Sequence, residues 1–386
     1  MKEQIFCGRG TDFPYKDVMK LLNTCFNFTD PASLFEGLLP KCYREEYRPQ
    51  DSNYIVAESD GTLAAAVGAY DHEIVVCGRS IPCRGIGNVG VHPDHRHKGY
   101  MKLAMNSALN DMISDGVALS TLGGLRQRYQ YFGFDKVGPT YIFSVSDANV
   151  RHYFGSRTPL FTVREVKAPD DSIIDNIIAL NERQDFLPIR PKERYLDIAN
   201  TWHASLLAIL DGERFVGYCI NDGNTLSEIQ IDRDEDFLEA LLSIHGYIGK
   251  GYALRIPPYQ HSYACLLTPF SEYVSIGSAM SFNVLNYRLI LDAFLALKLT
   301  YTTLPDGELS FLIHGYARDE RLCISVKNGK HSVKAIPDSQ PVDFEFSHTE
   351  GMTFLFASAC PMRDTAPGLA QIWFPLPINM YRADEV

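Results

Sequence analysis

Residues 89–101 read as an apolar strand that runs into a basic, glycine-containing turn and then into an amphipathic helix. The N–H groups at a helix start have no partners within the helix and carry the positive end of its dipole, so a turn that exposes them binds oxyanions. Gly99 lets the backbone approach a ligand without an intervening Cβ. Side-chain cations stand at Arg96, His97, Lys98 and Lys102. The sequence therefore predicts a phosphate-binding turn.

A second motif overlaps this turn, because residues 85–90 match the pattern G-x-G-x-x-G of dinucleotide-binding folds. That pattern requires a helix to begin within it and an acidic residue about 20 positions later. Here Pro93 favours an extended His92, and a helical period begins only near Lys98. We therefore interpret the glycines as part of a strand and do not predict a dinucleotide fold.

Histidines 92, 95 and 97 raise the alternative of a metal site. They lie in a turn rather than on one helix face, and no acidic or cysteine partner stands at helical spacing from them. Solvated loop histidines explain the pattern better, and we predict no metal.

Composition narrows the class of protein. The chain has 386 residues, is 46% hydrophobic and carries a formal net charge of −11, which argues against a nucleic-acid partner and suits cationic ligands. No run of 18 apolar residues appears, and Met1–Cys7 lacks the apolar core of an export signal. Nine cysteines form no C-x-x-C pair. These features predict a cytoplasmic protein with reduced thiols and no membrane association.

Three segments follow one another along the chain. Residues 1–150 alternate helix and strand patterns, with helices over 17–26 and 98–114 and strands over 54–57, 63–69, 73–77 and 117–122. Residues 151–280 repeat this alternation of helix and strand patterns, with helices over 172–186 and 237–244 and strands over 205–210 and 215–219. Residues 281–386 start with a helix over 287–296 and continue with alternating strands over 306–313, 321–329 and 344–346, as in an antiparallel sheet with one solvated face.

The spacing Arg96-x-x-Gly99-x-Met101 resembles the coenzyme-A loop of the GNAT superfamily of N-acetyltransferases, in which the last place usually holds Gly or Ala. Large apolar residues occur there in the Eis-like branch. The resemblance implies acetyl-CoA as cosubstrate. It implies that the backbone of Val89, Gly90 and Val91 meets the pantetheine arm, that residues 96–102, including Tyr100, hold the pyrophosphate, and that Gly124 and Leu125 form a second cofactor contact.

The resemblance extends to the architecture. In Eis-like chains a GNAT domain is followed by a degenerate GNAT-like domain and a sterol-carrier-protein-like domain, which implies an α/β (α+β) fold with domains at 1–150, 151–280 and 281–386. The absence of a second coenzyme-A loop in the middle segment agrees with this. The branch also implies a homo-oligomer, with a hexamer favoured.

Acyl transfer from a thioester to an amine needs a free amine, a stabilised oxyanion and a proton for the thiolate. Residues 128–134 resemble the family's Tyr-x-x-Phe-Gly-Phe/Tyr, which implies that Tyr129 is the proton donor; aromatic packing is the alternative. The N–H of Val89 or a neighbour would hold the oxyanion. In the Eis branch the last residue's carboxylate is the base, which implies Val386, although a frayed terminus is the alternative. Asp30 would face a cationic acceptor or is an ordinary turn residue.

Two functions are compatible with these residues. The first is an acetyl-CoA-dependent N-acetyltransferase that acts on primary amines of the polyamine, aminoglycoside or lysine type by direct attack. The second is a non-catalytic acyl-CoA sensor or apolar-ligand-binding protein, suggested by Met101 and by the polar end of the tail.

Overall fold

A computed structural model describes residues 5–30, 33–169 and 171–386. Part of the segment inspected for an export signal, and Pro31 after the candidate Asp30, lie outside these residues. The strands are β1 Phe6–Arg9, β2 Asn53–Ala57, β3 Leu63–Val76, β4 Arg79–Val91, β5 Leu119–Leu122, β6 Asp135–Val145, β7 Thr162–Glu165, β8 Phe186–Pro188, β9 Ser205–Asp211, β10 Arg214–Asp222, β11 Thr225–Ile231, β12 Tyr252–Ile256, β13 Tyr273–Val284, β14 Gly307–His314, β15 Asp319–Lys327, β16 Lys330–Ala335 and β17 Phe344–Ser347. The helices are α1 Tyr15–Phe26, α2 Phe35–Leu38, α3 Pro40–Tyr43, α4 Tyr100–Ser114, α5 Arg126–Tyr129, α6 Asp147–Phe154, α7 Ile173–Asn181, α8 Tyr195–Ala199, α9 Phe237–Ile248, α10 His261–Leu267, α11 Tyr287–Tyr301, α12 His348–Phe356, α13 Pro361–Asp364 and α14 Gly368–Trp373.

One mixed sheet runs through the first two segments in the order β1-β2-β3-β4-β5-β13-β6-β12-β11-β10-β9-β7, with β8 paired to β3. Strand β13 spans the boundary between the second and third segments but lies between β5 and β6 of the first, antiparallel to both. Strand β6 in turn pairs with β12. The predicted α/β class with mixed sheets is confirmed, and the two segments share one continuous sheet.

Strands β4 and β5 are parallel neighbours that separate. They pair only from Cys83 opposite Leu119 to Ile86 opposite Leu122, after which β4 continues to Val91 without β5 beside it. Helix α4 connects the two strands and buries one face against the sheet, with Ala104, Met105, Ala108, Leu109 and Met112 fully buried. The fold therefore leaves a gap between β4 and β5 that opens toward the start of α4.

The second segment has the same layout. Strands β9, β10 and β11 form an antiparallel meander, α9 follows, and β12 then pairs in parallel with β11 over only two residues, Thr225 and Leu226. Strands β11 and β12 therefore also separate. The predicted helix over 172–186 is too long, because α7 ends at Asn181 and Phe186 begins β8, where its side chain is buried against β3 and α11.

The third segment packs α11 and α12 against a sheet of order β16-β15-β14-β17. Strands β14 and β15 are antiparallel as predicted, and β16 pairs antiparallel with β15, but β17, which was predicted to be antiparallel, pairs in parallel with β14. Strand β16 was not predicted, and the helix predicted over 287–296 continues to Tyr301.

In the first segment, the strands predicted over 63–69 and 73–77 are one strand, because Tyr70, Asp71 and His72 keep pairing with β4. Within the described residues, no helix is both long and apolar enough to cross a membrane.

Candidate active site

The turn before α4 has the backbone geometry of an anion-binding helix start. His97 and Gly99 adopt left-handed conformations with φ of 68° and 83°, and α4 begins at Tyr100. The N–H groups of the first helical turn have no carbonyl one turn earlier in the helix, so they are directed out of its N-terminal end. Glycine adopts the left-handed conformation without steric strain because it has no Cβ, which accounts for the residue at 99. His97 adopts the same conformation although it has a side chain.

The side chains around the turn divide into two groups. Glu58, just after β2, accepts hydrogen bonds on one oxygen from Lys98 Nζ at 2.7 Å, His95 Nδ1 at 2.8 Å and the Tyr100 hydroxyl at 2.9 Å. These three bonds, that from Lys98 foremost, lower the pKa of Glu58 to about 2. Glu58 therefore ties the turn to the sheet, and part of the Lys98 charge is used for that purpose.

The other predicted cofactor residues take distinct positions around the turn. Arg96, His97 and Lys102 are exposed there, and the Lys102 ammonium lies 4.8 Å from the centre of the Tyr131 ring. Tyr100 is buried, and its side chain contacts the turn through its hydrogen bond to Glu58 and through its ring, whose centre lies 5.8 Å from the Lys98 ammonium. Met101 is half-buried and packs against the apolar core under α4. A large side chain at 101 is thus accommodated on the core side of the helix and leaves the backbone accessible.

A β-bulge interrupts β4 beside the gap. The register against β3 shifts between Gly87 and Gly90, and Asn88 within the bulge has φ of 40°. Its buried side chain accepts hydrogen bonds from the hydroxyls of Tyr43 and Tyr70 and donates to Asn53 at 2.7 Å. A bulge leaves backbone groups unpaired in the ladder, and this one is fixed by a buried polar network. This network was not predicted, because its only signal in the sequence is an asparagine within an apolar run.

Val89, Gly90 and Val91 follow the bulge, where the backbone borders the gap between β4 and β5. The side chains of Val89 and Val91 are half-buried against the core under α4. A Cβ on Gly90 would lie 2.7 Å from Cys25 of α1, so α1 covers this strand closely. The structure thus brings the predicted pantetheine contacts to the gap, directly before the anion-binding turn.

Tyr129 lies on the β5 side of the gap. Its ring contacts Gly124, where a Cβ would approach the ring to 2.5 Å, and the residue is 7% exposed. Burial raises the pKa of Tyr129 above its ordinary value, against the opposite effect of its hydrogen bond with Arg128, so the phenol remains protonated at neutral pH. Leu125, 64% exposed, caps the start of α5 beside it. The predicted residues Gly124, Leu125 and Tyr129 therefore lie together.

Val386 lies on the β4 side of the gap. Its Cγ2 atom is 2.5 Å from the position of a Cβ on Gly85, and its main-chain carboxyl carbon is 3.2 Å from the corresponding position on Gly87. The absence of side chains at these two glycines makes room for the last residue against the strand. Val386 also lines a cavity of about 610 Å³ with Lys41, Tyr70, His72, Arg84 and Asp384.

Two buried polar atoms near Val386 lack partners among the described residues. They are His72 Nε2 and Thr121 Oγ1, and both side chains lie around Gly85. Burial lowers the pKa of His72, which favours its neutral form, while Asp384 acts in the opposite direction. The sequence analysis named neither residue, because nothing in the local pattern sets them apart from other strand residues.

The tail that carries Val386 is fixed by a buried ion-pair cluster. Arg190 donates to Asp384 at 2.9 and 2.7 Å and to Glu228 at 2.9 and 2.7 Å, and all three side chains are at most 9% exposed. Burial opposes the charge on Arg190, but the two carboxylates outweigh it and hold the pKa of Arg190 well above its ordinary value. Lys41 adds a buried hydrogen bond to the carbonyl of Ala383. The terminus is therefore docked rather than frayed.

The same tail lies in the gap between β11 and β12. Tail residues Met380, Tyr381, Arg382 and Glu385 line a small cavity with Ser227 of β11 and Arg255 of β12. The second gap is thus occupied by the chain itself.

Asp30 is exposed in the loop after α1 and is not among the residues that line the cavity at Val386. It stays a prediction as an acceptor contact. Residues 85–90 lie within β4, and α4 begins only at Tyr100, ten positions after Gly90, so the glycines are strand residues as interpreted.

Comparisons with known proteins show which domain and which folds this chain is similar to. Residues 9–137 match the family model described as the acetyltransferase (GNAT) domain. No protein in a search of curated sequences matches the chain. Among solved structures, the chain is similar to a GCN5-related N-acetyltransferase from Kribbella flavida, with 18% identity over 89% of this chain and 86% of the other and a TM-score of 0.63.

Two further structures match over nearly the full length. A GCN5-related N-acetyltransferase from Anabaena variabilis has 12% identity over 98% of each chain and a TM-score of 0.67. Eis1 from Mycobacterium abscessus has 12% identity over 100% of each chain and a TM-score of 0.64. At these identities the likeness concerns the fold. The chain carries a GNAT acetyltransferase domain in its first part, within a fold that resembles these structures over most of its length.

Proposed function

We propose that this protein is an acetyl-CoA-dependent N-acetyltransferase for primary amines. The observation that carries the proposal is the position of Val386, whose carboxyl carbon lies over Gly87 at the gap between β4 and β5, opposite the side that holds Tyr129. None of the ion pairs among the described residues includes this terminal carboxylate. A carboxylate without a cationic partner at the end of a cavity suits an ammonium group.

In the proposed reaction the neutral amine attacks the thioester carbonyl. A backbone N–H near Val89 stabilises the oxyanion, the C–S bond breaks, and the thiolate takes a proton from Tyr129. The proton that the attacking amine nitrogen loses returns to Tyr129 through water, so the phenol is restored. With an ordinary tyrosine pKa near 10 and a thiol near 8.5, that transfer is uphill by about 2 kcal/mol. The buried phenol requires somewhat more, which hydrogen bonds formed with the bound cosubstrate would offset.

The terminal carboxylate is better suited to hold the ammonium than to take its proton directly. A carboxylate pKa near 3.5 against an alkylammonium near 10 makes direct transfer uphill by about 9 kcal/mol. In the proposal the carboxylate orients the ammonium, and water in the cavity carries the proton away. We propose direct attack by the amine, since residues 89–102 contain no cysteine and burial raises the pKa of Cys25, the thiol beside Gly90, to about 11, which keeps it protonated.

The test is purified protein with acetyl-CoA, a thiol reagent and a panel of spermidine, kanamycin and a lysine peptide. We expect thiol release with at least one amine, with intact mass confirming that the chain ends at Val386. A variant extended by one glycine after Val386 displaces the carboxylate and should lose turnover while it binds acetyl-CoA normally. Bound acetyl-CoA without thiol release above background would refute the proposal.

Substitution Tyr129→Phe separates the enzyme from the alternative acyl-CoA sensor. Removal of the proton donor should lower kcat by about 10²- to 10⁴-fold with the affinity for acetyl-CoA retained. Tyr131→Phe is the matched control, because Tyr131 is 64% exposed and lies two residues away. Equal turnover in both variants would exclude Tyr129 as the acid.

A further inference from the structure

The loop that ends at Gly133 receives contacts from the third segment. His348, the first residue of α12, lies with Nε2 2.9 Å from the carbonyl oxygen of Gly133. Gly133 closes the turn that begins at Tyr129 and has φ of 83°. A contact across 215 positions of the chain thus connects the C-terminal segment to the turn of the proposed acid.

The hydrogen bonds around His348 define its tautomer. The backbone N–H of Tyr316 donates to Nδ1 at 3.1 Å, and the hydroxyl of Tyr287 lies 3.0 Å from the same nitrogen. Because Nδ1 accepts a proton donor, the ring proton is on Nε2, where it is donated to Gly133. The imidazole therefore acts as a neutral bridge with a fixed direction, and burial, which lowers the pKa of His348, favours that form.

The turn is also held from its other sides. Asn283 of β13 donates to the carbonyl of Phe132 at 3.0 Å. Arg126, at the start of α5, forms two hydrogen bonds with the buried Asp135, at 2.5 and 2.9 Å. Side-chain space is tight as well, since a Cβ on Gly133 would lie 2.7 Å from Tyr316. Two successive carbonyls of the turn thus depend on side chains from outside the predicted first domain.

We infer that His348 is a positioning residue for the transfer reaction, which fixes the turn 129–133 and thereby the direction of the Tyr129 hydroxyl. The inference rests on the proposed function, because it assigns to the third segment a part in presenting the general acid. His348 does not touch the reacting atoms. It acts through the Gly133 carbonyl, and a displacement of about 1 Å at a catalytic group costs up to 10²-fold in rate.

The experiment compares His348→Leu and His348→Gln with the wild-type chain, with acetyl-CoA and the best amine of the panel. The leucine variant removes the N–H donor and should lower kcat by about 10- to 100-fold, with KM for both substrates within about twofold. The glutamine variant keeps an N–H donor and should recover most of the loss. His331→Leu is the control, because His331 bonds Asp292 in the same segment and does not contact the turn.

A double-mutant cycle separates positioning from general stability. If His348 acts through Tyr129, then His348→Leu should cost less than about twofold in a Tyr129→Phe background. An equal loss in both backgrounds, or kcat of His348→Leu within twofold of wild type, would overturn the positioning role. Full activity of Tyr129→Phe would instead refute the proposed acid, and absence of turnover in the wild-type chain with every amine would refute both. Thermal melting of each variant shows whether it is folded.

Discussion

Replacement of Asp384 by asparagine should undock the tail. We expect this change to lower turnover and to leave the affinity for acetyl-CoA unchanged. Asp384 is one of the two carboxylates that bind Arg190, through hydrogen bonds of 2.9 and 2.7 Å, and its side chain is 9% exposed. Asparagine has nearly the same shape but no charge. Arg190 keeps Glu228 in this variant, so the buried cation is not left alone.

The magnitude follows from the two charge-assisted hydrogen bonds. Each contributes about 1.5–3 kcal/mol, and an asparagine oxygen can still accept one neutral bond. The expected loss is therefore about 2–5 kcal/mol of tail docking, or about 30- to 4,000-fold in the docking equilibrium at 1.4 kcal/mol per tenfold. If the tail undocks, residue 384 is exposed to water while the rest of the chain stays folded. The free energy of unfolding should therefore fall by no more than the loss of docking energy.

Turnover, acetyl-CoA affinity and tail exposure should be measured together. We expect kcat to fall by up to the docking factor, Kd for acetyl-CoA to stay within twofold, and carboxypeptidase to release Val386 faster than from the wild-type chain. Asp222→Asn is the matched control, because Asp222 binds Arg382 of the same tail at 3.3 Å while one-third exposed, and such pairs contribute about 0–1 kcal/mol. A protease-resistant tail with kcat within twofold would refute the reasoning.

Three further predictions concern the gap and the turn before α4. Gly85→Ala would place a Cβ 2.5 Å from Val386, so kcat should fall at least tenfold. Adding Val386→Ala to the same chain removes the clashing methyl groups and should restore part of kcat. An unaffected kcat in Gly85→Ala would show that the last residue has no role. Glu58→Gln should raise Kd for acetyl-CoA several-fold, because it weakens the hydrogen bonds that hold the turn before α4. Glu213→Gln, at an exposed position, is the control, and an unchanged Kd in Glu58→Gln would contradict the prediction. Since the folded pKa of Glu58 is about 2 against about 4.3 unfolded, its stabilisation is complete above about pH 4.3 and is lost as the pH falls toward 2, which amide exchange in residues 96–102 should follow.

Local patterns predicted much of the first segment. The apolar period of α4 and the positions of Pro93 and Gly99 placed the anion-binding turn, because helix periodicity and left-handed turns depend on residues close in sequence. The same reasoning failed at Phe186, whose apolar run fits a helix or a buried strand equally well. Pairing with β3 decided between them, and that pairing joins residues more than a hundred positions apart.

The site residues divide in the same way, into those that local patterns indicate and those that depend on contacts between distant segments. Residues 89–102 and Tyr129 could be proposed because short runs around them resemble motifs of a known family. The Arg190–Asp384–Glu228 cluster, His348 at Gly133 and the glycines under Val386 could not, because each joins segments far apart and no single segment shows an unusual pattern.

What the sequence determined by itself is the chemistry of the turn at 96–102 and the order of helices and strands around it, because these depend on local backbone geometry and on periodic burial. Only the tertiary structure decided that β13 lies between β5 and β6, that the tail runs through the second gap, and that Val386 ends over Gly87. These arrangements follow from which distant surfaces bury one another, and burial between distant segments leaves no mark in either segment alone.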